Sequence, residues 1–106
     1  MSLRLRNKTA LVTGGGSGIG QSVCLRLAQE GAHIIILDLT LEAAQQTADK
    51  ILSNGDTVST YACDVSNHAQ VNEVLAEIQH THCIDMLINN AGSDHIGNST
   101  KTSESV

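Results

Sequence analysis

Thr13-Gly14-Gly15-Gly16-Ser17-Gly18-Ile19-Gly20 stands between a short apolar run and a segment of helical periodicity. The order of these pieces makes a phosphate site out of a glycine cluster. A strand delivers the chain to a tight turn, and the glycines leave the backbone bare of Cβ atoms. A helix then begins with its unpaired N–H groups facing any anion that approaches. Gly14, Gly18 and Gly20 are spaced G-x-x-x-G-x-G, and the commoner G-x-G-x-x-G fits nowhere in this segment. A plain glycine-rich linker would share the residues but not the flanking strand and helix.

Working outward, Thr9 to Thr13 (Thr-Ala-Leu-Val-Thr) is β-prone and supplies the strand. From Gly18 to Glu30, Ile19, Val23 and Leu27 recur at helical spacing and predict a helix, with Gly31 as the C-terminal stop. His33 to Leu37 is continuously apolar after its first residue, which suits a strand covered on both faces of a parallel sheet. Thr40 caps a second helix whose stripe is Ala44, Ala48, Ile51 and Leu52, ending near Gly55. Thr57 to Cys63 alternates as a third strand. Ser66 is the expected cap of a third helix carrying Val71, Val74, Leu75 and Ile78, and Ile84 to Asn89 is the fourth strand.

Strands alternating with helices predict βαβ units, and right-handed crossovers then place the first strand centrally with the fourth beside it. The fold class is α/β, a Rossmann-type doubly wound parallel sheet of strand order 3-2-1-4, left incomplete. Residues 1–92 form the dinucleotide-binding half of such a domain. Residues 93–106 are polar, lack an apolar stripe and read as either a loop or the beginning of an unfinished helix.

Composition narrows the partners. Six Lys and Arg against eleven Asp and Glu give a net charge of −5, which favours neither nucleic acid nor an anionic membrane. Arg4, Arg6 and Lys8 make the amino terminus basic, but the stretch is too short and charged for a signal peptide. No apolar run reaches bilayer length. Cys24, Cys63 and Cys83 are odd in number and widely spaced, which points to reduced, mostly buried thiols in a cytoplasmic protein.

Asp38 ends the second strand, eighteen residues beyond Gly20. In a dinucleotide fold that position faces the adenosine ribose, where a carboxylate accepts from the 2′-OH and repels a 2′-phosphate. No Arg or Lys lies in the glycine segment or from Asp38 through Gln46, so NAD is expected over NADP. His80, His82 and Cys83 cluster, but no second cluster completes a tetrahedral set. They read as a solvated helix end with one buried thiol, and no metal is expected.

Thr13 to Gly20, Asp38, Asp64-Val65 and Asn89-Asn90-Ala91-Gly92 together resemble the amino-terminal half of a short-chain dehydrogenase/reductase. The resemblance implies a role for each matched residue. Gly14, Ser17, Gly18, Ile19 and Gly20 would enclose the pyrophosphate and its neighbouring ribose, and Asp38 and Leu39 would sit by the adenosine ribose. Asp64 would approach the adenine amino group, with Val65 lining the ring. Asn90, Ala91 and Gly92 would let the fourth strand pass close to the cofactor, Asn90 also tying the sheet together.

It also implies hydride transfer between nicotinamide and an alcohol or ketone carbon, with a small-molecule substrate and a homo-oligomeric parent protein. The family's tyrosine and lysine are spaced Y-x-x-x-K. Here the only tyrosine is Tyr61, followed four residues on by Val65, so Tyr61 reads as a structural residue of the third strand. The resemblance also implies that residues 93–106 are the start of a truncated remainder, so no catalytic residue is expected in this chain, which reads as inactive alone. The alternative is a non-catalytic nucleotide-binding module, or an interaction module offering the edge of Met86, Leu87 and Ile88.

Overall fold

In the computed structural model, which describes residues 4–14, 16 and 18–90, helices and strands alternate as the sequence predicts. The elements are β1 (Thr9–Thr13), α1 (Gly18–Gln29), β2 (His33–Asp38), α2 (Leu41–Ser53), β3 (Val58–Ala62), α3 (His68–Gln79) and β4 (Met86–Asn89). All pairings are parallel, in the order β3-β2-β1-β4. Thr13 lies opposite both Leu37 and Asn89, which brings the carboxyl ends of three strands level at one edge.

Side chains alternate between the two faces of the sheet. Ala10, Val12, Ile34 and Ile36 pack on one face with Cys24 and Ala28 of α1 and Ala44 and Ile51 of α2. Leu11, Ile35 and Leu37 pack on the other with Cys63 and with Ile78 of α3. Half-buried Tyr61 joins that second cluster, in the structural place expected of it.

α1 forms where the helical spacing predicts it, but its buried face is not the line of Ile19, Val23 and Leu27. Gly20, Cys24 and Ala28 face the core, whereas Ile19 is 75% exposed. The helix lies so close to the turn after β1 that only small residues fit along the contact line. Larger side chains are displaced to its flanks, where Leu25 and Leu27 touch the core edge. In α2 the core takes Thr47 in place of Leu52, which is 54% exposed. Thr47 Oγ1 accepts from Gln21 Nε2 at 3.0 Å, so the buried hydroxyl is satisfied and the two helices are tied together.

Thr40 caps α2 as expected, its hydroxyl accepting from Ala43 N–H at 3.2 Å. The cap of α3 is Asn67 rather than Ser66, with Asn67 Oδ1 accepting from Gln70 N–H at 3.1 Å. β4 begins later than expected because Asp85 clips onto β1. Its N–H donates to the Thr9 carbonyl at 2.9 Å, and its side chain accepts from Thr9 N–H at 2.8 Å. Cys24 and Cys63 are buried, and burial pushes the Cys24 thiol up to about 12. Cys83 is exposed, contrary to the expected buried thiol, because it lies beyond the helix end rather than under it.

At the opposite edge of the sheet, His33 of β2 stacks on His82 with ring centroids 4.8 Å apart and planes within 4°. His33 Nδ1 is hydrogen-bonded to Thr57 Oγ1 and Nε2 to Ser59 Oγ, so both ring nitrogens are engaged. Burial, and then the facing His82, hold the His33 imidazolium below its ordinary 6.5. The unfolded chain therefore takes up this proton at higher pH than the folded chain does. The His33 contribution to stability is level above about 6.5 and declines as pH falls through the depressed folded value. Thermal unfolding at about pH 7.5 and about pH 5.5 checks this, with a smaller acid-side decline expected for His82→Ala.

Candidate functional site

The glycine turn begins where β1 ends. Gly14 adopts φ +67°, a left-handed conformation that favours glycine, and its N–H donates to the Leu37 carbonyl at 2.7 Å. Asn90 closes the turn from the other side, its Nδ2 donating to the Gly14 carbonyl at 3.1 Å. The Asn90 N–H donates to Thr13 Oγ1 at 2.9 Å, and the Thr13 hydroxyl donates to Asn89 Oδ1 at 3.0 Å. The end of β4 is thus fixed against the turn by side chains as well as by the ladder.

α1 starts at Gly18, which has φ +54° and open space where a Cβ would stand. Gly20 is different: a Cβ there would lie 2.1 Å from the Gly14 carbonyl oxygen and 2.7 Å from Asn90 Nδ2. Its bare Cα lets the first turn of the helix close onto the loop. The N–H groups of that first turn have no carbonyl partners within the helix and open toward the carboxyl edge of the sheet.

Asp38 reaches back to this loop from the end of β2. Its Oδ2 accepts from Gly16 N–H at 2.9 Å and its Oδ1 from Leu39 N–H at 2.7 Å. Two N–H donors fill half of a carboxylate's acceptor capacity, so each oxygen keeps a lone pair for a further hydroxyl. The Cys63 N–H donates to the Asp38 carbonyl at 2.8 Å and sets the end of β3 beside it.

Asp64 follows, with its carboxyl held below the usual range by hydrogen bonds from the Ser66 hydroxyl and N–H. Gly14, Asp38, Leu39, Cys63, Asp64 and Val65 line a cavity of about 200 Å³. Pockets for whole drug-sized ligands run to roughly 300–1,000 Å³, so this one suits a single ring system.

Of the residues expected at a site, Gly14, Gly18, Ile19, Gly20, Asp38, Leu39, Asp64, Val65 and Asn90 meet at this one edge of the sheet. Ser17, Ala91 and Gly92 lie outside the described residues. Ile19 heads α1 and lines a shallow groove with Val23 and Leu27. Sequence reasoning missed Gly16, Thr13, Cys63 and Ser66. The third glycine of the run was a visible signal for Gly16, whereas Thr13 and Ser66 act through partners that only folding supplies. His80, His82 and Cys83 do not converge, and among the described residues no three His, Cys, Asp or Glu side chains form a metal set.

A parallel 3-2-1-4 sheet with a glycine turn, a strand-end carboxylate and a ring-sized cavity at its carboxyl edge defines a Rossmann-type α/β protein. The sequence profile of the short chain dehydrogenase family matches residues 8–106, so the chain belongs to that family. It is 40% identical over 95 residues to the uncharacterized oxidoreductase YxbG of Bacillus subtilis, covering 89% of this chain and 35% of that protein. It is 38% identical over 96 residues to cyclohexanol dehydrogenase of an Acinetobacter species, covering 87% of this chain and 37% of that protein. The solved structure of an NAD+-bound xylitol dehydrogenase superposes with a TM-score of 0.77 at 37% identity, over 84% of this chain and 35% of that one. The chain therefore spans little more than a third of the length of the relatives it matches.

Proposed function

We propose that this chain is the NAD-binding portion, within residues 1–92, of an oxidoreductase that moves hydride between nicotinamide and an alcohol or ketone carbon. The observation that carries the reading is the Asp38 carboxylate, set between the glycine turn and the ring-sized cavity. The residues present fit the group: a Cα cradle that a Cβ at Gly20 would fill, acceptors for ribose hydroxyls, and a cavity walled by Leu39 and Val65. Nicotinamide, when bound, supplies the hydride chemistry.

This chain's own residues bind and orient. Ser17 and the N–H groups from Gly18 to Gly20 hold the pyrophosphate, supported by Gly14 and flanked by Ile19. Asp38 accepts from the adenosine ribose beside Leu39, and Asp64 accepts from the adenine amino group above Val65. Asn90, Ala91 and Gly92 bring β4 against the cofactor.

The reading includes selectivity for NAD over NADP, since no Lys or Arg stands near Asp38 in sequence to neutralise a 2′-phosphate. It also includes a cytoplasmic setting, which suits the three free cysteines. No helix among the described residues is long and apolar enough to cross a membrane. The whole protein acts on a small alcohol or ketone as a homo-oligomer. The 106 residues contain no Y-x-x-x-K, so they bind without turning over. Titration with NADH, followed by cofactor fluorescence, should show saturable binding stronger than that of NADPH. No alcohol-dependent NAD reduction should appear in the same preparation. Failure of folded protein to bind NADH would overturn the reading.

A further inference from the structure

The turn from β3 to α3 is closed on itself. The Asn67 N–H donates to the Asp64 carbonyl at 2.9 Å, and the Asp64 N–H donates to the Gln70 side-chain oxygen. Ser66 is left out of helix capping, which Asn67 performs, and turns back to Asp64 instead. Both Ser66 donors go to the same atom: Oγ lies 2.6 Å and N 3.0 Å from Asp64 Oδ1. Among the described residues nothing donates to Asp64 Oδ2. Asp64 also lines the cavity beside Asp38 and Val65.

An exposed aspartate ordinarily samples several rotamers, and fixing it on binding costs affinity. Two donors on one oxygen remove that freedom beforehand and leave the other oxygen with its full acceptor capacity. We propose that Ser66 is a positioning residue for the adenine end of the dinucleotide, holding Asp64 by Oδ1 so that Oδ2 meets the exocyclic amino group. This rests on the dinucleotide reading above and deepens it. Selectivity follows from donor and acceptor chemistry. A 6-amino purine donates to the held oxygen, whereas a 6-oxo purine turns a carbonyl toward a carboxylate and leaves it unpaired.

The test compares NADH with reduced nicotinamide hypoxanthine dinucleotide, which differs from it at the base alone. Wild-type chain should bind NADH about tenfold more tightly than the hypoxanthine analogue, on the scale of one charged hydrogen bond. Ser66→Ala should lose most of that ratio by weakening NADH alone, and Ser66→Thr, which keeps the hydroxyl, should restore it. The Asp64 carboxyl resonance should titrate closer to its ordinary 3.8 in Ser66→Ala. Circular dichroism should be unchanged, since Asn67 still caps α3. A Ser66→Ala chain that weakens both ligands equally, or neither, overturns the proposal, as does a wild type that does not distinguish the two bases. If the wild type binds neither ligand, the dinucleotide reading falls first and this inference with it.

Discussion

Replacing Gly20 by alanine is expected to destabilise the chain by about 3 kcal/mol or more, at the severe end of overpacking substitutions. The added methyl would stand 2.1 Å from the Gly14 carbonyl oxygen and 2.7 Å from Asn90 Nδ2. Neither obstacle can swing aside cheaply. The carbonyl belongs to a backbone already held by the Gly14 N–H bond to Leu37, and the amide is the donor that ties β4 to the turn. To admit the methyl, α1 must lift away from β1, which uncovers Cys24 and Ala28 on its buried face.

Gly18→Ala is the internal control. That position has φ +54° but open space around a Cβ, so its cost is that of one residue in a left-handed conformation, about 1–2 kcal/mol. Urea unfolding of both variants separates the two reasons for glycine within one motif. Equal losses at Gly18 and Gly20 would remove the close-packing account. Gly20→Ala should also lose NADH binding, because the displaced helix no longer directs its first N–H groups into the loop.

The same pair of glycines marks the boundary between what is legible in sequence and what is not. Element order and type are local matters, and the alternation of β-prone runs with helical stripes sufficed for the parallel 3-2-1-4 sheet. Ile19, Val23 and Leu27 mark α1 as a helix by their spacing, but apolar bulk does not identify its most buried line. The face against β1 is instead chosen by how closely the helix approaches, and that closeness rewards Gly20, Cys24 and Ala28. The burial of polar Thr47 is not legible locally, since its partner Gln21 lies on another helix, 26 residues away in sequence.

Ser66 and Asn67 are both good cap residues and adjacent, so propensity cannot separate them. Asp64, by engaging the Ser66 hydroxyl, decides the matter. At the candidate site Asp38 was legible from its distance to the glycines. Its bond to Gly16 was not, because it depends on the curl of a loop 22 residues earlier.

Asp38→Ser is expected to invert the cofactor preference. The carboxylate does three things in the proposed complex, and serine separates them. It accepts from ribose hydroxyls, and losing such a charge-assisted bond weakens NADH by about 10- to 100-fold, the equivalent of roughly 1.5–3 kcal/mol. It repels a 2′-phosphate, so its removal strengthens NADPH relative to NADH even before any cation is added. It also anchors the loop through Gly16 N–H at 2.9 Å, a contact that a shorter side chain does not reach from the same backbone.

That third role predicts a cost to both cofactors, which distinguishes this site from one where the aspartate is only a charge. The double variant Asp38→Ser with Leu39→Arg supplies the missing cation beside the phosphate, and Leu39 is 68% exposed, so the longer side chain meets no core. NADH and NADPH titrations of the three proteins should show the affinity ratio moving toward NADPH in two steps, first with loss of repulsion and then with gain of attraction. The second step alone should fade as salt is raised, since it rests on an exposed ion pair. An unchanged ratio in a folded Asp38→Ser chain would separate Asp38 from the ribose, and with it the proposed preference for NAD.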